Sequence, residues 1–312
     1  MTGGARQTLI ADELVRCNRA LQESIPMMAR VAPFSLAAGL LLIFLPVKVA
    51  TADDWRIVKL AYDLETAEGP VWDTSGTLYF TEIFAQLVHA YSVETGEFQV
   101  IRRDSGGANG MALDLDGRLL MCEMAGRRVS RMPIGGEVEI LWKTTGQGKG
   151  GPNDIVVSSS GRIYFTMPRH RCVYRIDHDG SVTVAIPEVA GLNGVMLSRD
   201  EETLYVTRYR EREVLAYRVN GATGDADEGR VFARIETAGT EHGADGMTVD
   251  EDERLYVACL GGVWIFDRSG REVGRIRLPG ENVTNCAFGG ESGEILFVTT
   301  QRGLFSARRV VE

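Results

Sequence analysis

One phrase recurs six times along this chain, and its period constrains the fold more than any other feature. It reads TLYFT at 77–81, RLLMC at 118–122, RIYFT at 162–166, TLYVT at 203–207, RLYVA at 254–258 and EILFVT at 294–299. Anchored on Leu78, Leu119, Ile163, Leu204, Leu255 and Leu296, the copies follow at steps of 41, 44, 41, 51 and 41 residues. Each copy is a β-branched and aromatic run preceded by a turn rich in Asp, Gly and Ser, such as DTSG at 73–76 or DLDG at 114–117. Two further strand-like runs follow each copy, as in HAYSVETGEFQVI at 89–101. That period is too long for one hairpin and suits a four-stranded blade. The chain is therefore expected to be all-β, a six-bladed β-propeller of four-stranded antiparallel blades over residues 53–312. The strand around residues 55–61 is expected to complete the last blade, so that closure leaves only short protected edges.

The first 52 residues differ in kind. From Arg30 the chain reads RVAPFSLAAGLLLIFLPVKVATADD, a cationic residue, an apolar stretch and then small residues. This is the pattern of a secretory signal peptide, with cleavage expected after Ala52. The apolar run 31–47 contains Pro33 and Pro46 and is short of the ~20 residues that span a bilayer. An uncleaved membrane anchor is the alternative. The reading is a leader over 1–52, a propeller over 53–312 and a periplasmic or secreted location, with membrane contact only through the N-terminal segment. The formal net charge of −9 and the lack of a basic stripe exclude an electrostatic grip on nucleic acid. The scattered cysteines show no C-x-x-C spacing, which argues for buried thiols over zinc or redox chemistry.

Ten or eleven residues before each anchor stands a carboxylate or carboxamide: Glu68, Asn109, Asn153, Asn193, Asp245 and Asn285. Each begins the first strand of its repeat, and first strands line the channel of a propeller. Six such groups in register form a ring of oxygen ligands, costly to bury unless something satisfies it. Calcium, which takes oxygen ligands from carboxylates and amides, is the expected cofactor, with Zn2+ or Mn2+ as alternatives. For any single position, Asn or Asp before Gly is equally a turn former. Four residues past each anchor the chain returns to the same end of the blade. Glu82, Glu123 and Arg208 there, with Asn109 of the ring, are candidate substrate contacts or else solvated rim charges. Of the histidines only His170 and His242 fall near the expected mouth. The GQGKGG run at 146–151 lacks the Ser or Thr that a phosphate loop needs after Lys149 and reads as a mobile loop leading to Asn153.

Taken together, EGPVWD at 68–73, GRLLMCEMAGRRVSR at 117–131, GPNDIVV at 151–157, GLNGVMLS at 191–198, ADGMTVDEDERLYVA at 244–258 and TNCAFGG at 284–290 resemble the gluconolactonase, or senescence marker protein (regucalcin), family. The resemblance covers essentially all of residues 53–312. It implies a calcium-dependent propeller related in layout to paraoxonase and diisopropyl fluorophosphatase. The family's metal pattern of one Glu, two Asn and one Asp falls on Glu68, Asn153, Asn193 and Asp245. Three departures affect substrate contacts: Met167 where many relatives have Asp, Met124 in place of His, and Gly151 where sugar-lactone relatives place Arg. The expected activity is metal-assisted hydrolysis of a sugar lactone or related ester in the channel, with Asp245 and Asn153 as the catalytic pair. The rival is an exported sugar- or protein-binding propeller without catalysis, its calcium purely structural.

Overall fold

In the computed structural model the described residues are 54–145, 150–237 and 243–310. The expected leader, residues 146–149 of the glycine-rich loop and His242 lie outside them. The chain separates into Met1–Val47 and Lys48–Glu312, and all the described residues belong to the second unit. Its regular elements are all strands, with no α-helix among the described residues.

Strand β1 (Trp55–Ala61) opens the unit. The first sheet is β2 (Ala67–Trp72), β3 (Thr77–Glu82), β4 (Leu87–Ser92) and β5 (Phe98–Arg102), and the second is β6 (Ala108–Leu113), β7 (Leu119–Glu123), β8 (Arg128–Met132) and β9 (Glu139–Lys143). The third is β10 (Ile155–Val157), β11 (Ile163–Met167), β12 (Cys172–Ile176) and β13 (Val182–Ile186). The fourth is β14 (Leu192–Leu197), β15 (Thr203–Arg208), β16 (Glu213–Arg218) and β17 (Arg230–Arg234). The last joins β18 (Met247–Val249), β19 (Leu255–Phe266), β20 (Glu272–Gly289), β21 (Ile295–Thr300) and β22 (Leu304–Arg309) in one six-stranded ladder that ends on β1.

The propeller therefore has five hydrogen-bonded sheets, which corrects the expectation of six separate blades. The last two sequence repeats share one ladder because β20 runs unbroken through Pro279 and Gly280. It pairs first with β19, as at Val263↔Ile276, and then with β21, as at Cys286↔Val298. Packing still follows the six repeats. Five apolar clusters sit between successive sheets, as where Tyr79 and Val88 meet Met111 and Met121. A further cluster fills the space between the two halves of the long ladder, where Tyr256, Val263 and Ile276 meet Cys286, Leu296 and Val298.

Burial grades radially and explains the composition of each strand. The second strands are buried throughout, as in β7 and β11, so they read as continuous apolar runs. The fourth strands are half exposed, as in β5 and β9, and carry the polar residues. The turn before each anchor is held by its own side chain. Asp73 Oδ1 accepts the N–H groups of Ser75 and Thr77, both at 2.9 Å. Asp114 and Asp250 repeat this two and four residues on. The turn closes in the left-handed region, at Gly76 (φ 93°) and Gly117 (φ 75°), where glycine carries no penalty.

Closure is made as the sequence predicts. Strand β1 pairs antiparallel with β22 from Trp55↔Arg309 to Ala61↔Leu304, so the N-terminal end of the propeller covers an edge that would otherwise stay open. A chain beginning at Tyr62 is expected to expose β22 and associate. Size-exclusion chromatography should show aggregates where the longer chain elutes as a defined species, and a monodisperse truncated protein would refute this closure role.

Candidate active site

The six polar residues stand at the inner starts of the first strands, and the structure brings them to one end of the channel. Glu68, Asn109, Asp245 and Asn285 are buried, and Asn153 and Asn193 are partly exposed. They bond to one another between neighbouring sheets. The Asn285 carboxamide donates to Glu68 Oε2 at 3.0 Å, and the same oxygen accepts Gly69 N–H at 2.7 Å. The Asn193 carboxamide bonds the Asp245 carboxylate, and the Gly246 N–H reaches across to Thr284 O at 2.8 Å.

Two of the glycines that follow ring residues leave room for this rather than making turns. A Cβ at Gly246 would lie 2.0 Å from Asn285 Cγ, and one at Gly110 would lie 2.3 Å from Asp154 Oδ1. Neither has a positive φ, so clearance and not backbone conformation is what requires glycine at these two positions.

Threonines of the second strands fasten the ring, and the sequence reading passes over them. Thr81 Oγ1 donates to Asn109 O at 3.0 Å, Thr166 Oγ1 to Asn193 O at 2.6 Å, and Thr207 Oγ1 to Asp245 O at 2.9 Å. Each bond runs from one sheet to the next ring residue. A signal for them exists, since the recurring phrase ends in Thr in four of its six copies.

Asp154 is a second residue that the sequence reading misses. It is buried, its Oδ2 accepts Val195 N–H at 3.1 Å, and burial pushes its pKa from 3.8 up to about 6, against hydrogen bonds from Val195, Ile155 and the Asn285 side chain. Desolvation likewise raises Glu68 from 4.5 to about 8, helped by the charge of Asp154. Asp245 is pushed well above 3.8 by burial and then by Glu68 and Asp154.

Above Asn153 and Asn193 opens a cavity of about 440 Å3, lined also by Met124, Gly150, Gly151, Pro168, Arg169, Gly191, Leu192, Tyr209 and Arg210. Tyr209 is the third residue missed. Its pKa is raised by burial and by the nearby Asp245 charge, so it remains a protonated donor. A side chain at Gly151 has no room, because a Cβ there would lie 2.2 Å from the Met124 carbonyl oxygen. On the far side, a cavity of about 280 Å3 lined by later residues of the first strands ends on Asp154 and Asn285.

The other expected contacts lie elsewhere. Glu82 accepts Glu65 N–H at 2.7 Å and bonds His89 Nε2 at 2.9 Å. Glu123 is buried between Arg102 and Arg128, with Nη2 at 2.9 Å and Nε at 2.6 Å. Arg208 pairs with Glu213 at 2.8 Å. All three serve as ion-pair or hydrogen-bond partners within the blades, and neither they nor Asn109 line the cavity. Their carboxylates and guanidinium look the same in sequence whichever way the strand end turns them. His170 Nδ1 meets Tyr174 Oη at 3.1 Å on the surface and does not line the cavity.

The donor set fits a hard divalent cation. Two desolvated carboxylates and two carboxamides offer oxygen only, and no three His, Cys, Asp or Glu side chains cluster as a metal site among the described residues. Burial with like charges opposes ionisation of these carboxylates, and a cation would relieve that opposition.

Residues 66–302 match the model of the SMP-30/Gluconolactonase/LRE-like region. A pentonolactonase of Haloferax volcanii is 33% identical over 76% of this chain and 81% of its own. A gluconolactonase of Zymomonas mobilis is 26% identical over 80% of each. Among solved structures, a gluconolactonase of Xanthomonas campestris superposes with a TM-score of 0.72 at 29% identity, covering 82% of this chain and 90% of that one.

This geometry carries two expected outcomes. Thr207→Val removes the donor to Asp245 O and the acceptor of Gly194 N–H, and should cost about 2–4 kcal/mol in urea unfolding. Acids with raised native pKa values keep protons that the unfolded chain has already released, so native stability falls as pH rises between the two values. For Glu68 that window runs from 4.5 to about 8. Chelator-treated protein should therefore melt at lower temperature at the top of this window than at its foot, and Glu68→Gln should flatten the trend.

Proposed function

The chain belongs to the SMP-30/Gluconolactonase/LRE-like family, and from that premise we propose that it is a calcium-dependent lactone hydrolase acting at the mouth of its channel. The observation that carries the reading is the pair of buried carboxylates, Glu68 and Asp245, in one ring with Asn153 and Asn193, which line the 440 Å3 cavity. The lactonase activity of the Haloferax and Zymomonas relatives supports the bond class. The leader read from the sequence supports a proposed periplasmic or secreted location, which N-terminal sequencing of exported protein would test by finding Asp53 first.

Glu68, Asn153, Asn193 and Asp245 would hold the cation. A calcium ion held there would supply Lewis acidity toward the lactone carbonyl and the charge that develops on its oxygen. The chain's own residues do the rest. Asn153 and Asn193 face the cavity and orient the ester group. Tyr209, kept protonated by its surroundings, offers a hydroxyl donor beside them. Met124, Pro168 and Leu192 form an apolar wall against which the lactone ring can pack. Asp245 would be the carboxylate that accepts a proton from the attacking water, a bound cation setting its proton affinity below that of the cation-free ring. Asn193 holds that carboxylate in orientation.

Turnover of a panel of sugar and aliphatic lactones, followed by pH-stat with calcium and with chelator, tests this. Hydrolysis should require calcium and fall at least about 100-fold in Asp245→Ala. Calcium-dependent thermal stabilisation with no turnover of any lactone or ester would instead leave a binding propeller with a structural ion.

A further inference from the structure

Two arginines stand over the cavity without partners. Arg169 lies on the turn after β11 and Arg210 on the turn after β15, at corresponding ends of neighbouring sheets, and both line the cavity above Asn153 and Asn193. Both are exposed, and neither makes an ion pair or side-chain hydrogen bond among the described residues. Several other arginines of these two sheets are committed. Arg208 pairs with Glu213 at 2.8 Å and Glu211 at 3.2 Å, Arg212 donates to Thr237 Oγ1 at 2.7 Å, and Arg175 pairs with Asp177 and Asp225, both at 2.9 Å. Among the described residues no carboxylate lines the cavity, and the nearest acid in sequence, Glu211, is the one held by Arg208.

The chain as a whole carries a net −9, and the ring beneath the cavity contains Glu68 and Asp245. Two free guanidinium groups on the rim of an otherwise acidic protein concentrate positive potential at the cavity entrance. The aliphatic stem of Arg169 runs against the backbone at Gly150, where a Cβ would lie 2.3 Å from Arg169 Cγ. Its head is thus carried at the wall rather than packed into it. Guanidinium forks bind carboxylate and phosphate oxygens in a two-pronged manner that an ammonium cannot. The floor is suited to a polar ester group, the wall of Met124, Pro168 and Leu192 to a compact ring, and the rim to an anion.

Resting on the lactonase reading, we propose that Arg169 and Arg210 are specificity-determining residues that select lactones bearing an anionic group, carboxylate or phosphate, on the substituent away from the ester. The lactone ring sits over Asn153 and Asn193, and the anion is held between the two guanidinium groups. These arginines also offset the repulsion that Glu68 and Asp245 exert on such a substrate.

Binding and turnover test this separately. Isothermal titration calorimetry on the full chain with calcium present should show sorbitol 6-phosphate binding at least 10-fold more tightly than sorbitol, the preference weakening as salt is raised. In Arg169→Ala/Arg210→Ala the preference should vanish while calcium still binds, which separates loss of the anion contact from loss of the fold. In turnover, kcat/KM for 6-phosphoglucono-1,5-lactone and for D-glucaro-1,4-lactone should exceed that for D-glucono-1,5-lactone, chiefly through KM, and the double variant should bring the ratios to about one. Failure of all lactones to turn over, with the binding preference intact, would sink the hydrolase reading and leave the anion site standing. Equal affinity for the two sorbitols, or a phosphate preference that survives in the double variant, would overturn the anion site itself.

Discussion

Glu68 and Asp245 stand at the inner starts of strands with little water around them, and each is held by a carboxamide from the neighbouring sheet, Asn285 and Asn193. Removing a carboxylate from water is costly unless hydrogen bonds or a counter-charge replace the lost hydration. Much of the inner structure is arranged around that cost. The sheets must approach closely enough for a carboxamide on one to reach a carboxylate on the next, which requires glycine at 110 and 246. They must also hold that approach, which the threonine bonds from Thr81, Thr166 and Thr207 do. Closure by β1 on β22 keeps the circle from opening and the ring from losing register. The apolar clusters between sheets drive assembly, but it is the polar inner rim that demands close spacing.

The ring and the rim divide the chemistry. Ring residues sit on first strands and are fixed by main chain and threonines, so they tolerate little change. Rim residues such as Met124, Arg169, Tyr209 and Arg210 lie on turns after the second strands, where substitution leaves the ladders intact. A family built this way can retain one bond-breaking centre while varying what it accepts. Gly151 illustrates the limit: its Cβ position is occupied by the Met124 carbonyl, so a cationic contact has to come from another wall.

Much of this is legible in the sequence, for a physical reason. A period near 41 residues and a polar residue at a constant offset are local patterns, and together they are enough to place the channel ring. The count of separate sheets is not legible, because Pro279-Gly280 reads as a turn while β20 continues through it. Nor is the direction of the strand ends. Side chains alternate along a strand, so Thr81 turns toward the next ring residue and the adjacent Glu82 toward His89. A carboxylate attracts attention in a sequence and a threonine does not, yet here the threonine touches the ring. Tyr209 and Asp154 escape a sequence reading because their roles depend on neighbours distant along the chain.

Asp154 shows how one such residue changes the character of the whole ring. After the ring residues stand Gly69, Gly110, Gly194 and Gly246 in four repeats and Cys286 in another, and Asp154 is the exception. At two other junctions adjacent sheets are joined at this level by main chain, Gly110 N–H to Asn153 O and Gly246 N–H to Thr284 O, both at 2.8 Å. Between the third and fourth sheets the Asp154 carboxylate takes that place by accepting Val195 N–H. It also draws on the Asn285 carboxamide, which therefore serves both Asp154 and Glu68. A third negative charge thus lies beneath the two of the ring and raises the proton affinity of both. Without a cation the channel can relieve that charge only by protonation, and with one it can keep all three carboxylates ionised. Any demand for a divalent ion at this site would consequently come from the channel as a unit, and not from the four proposed ligand positions alone.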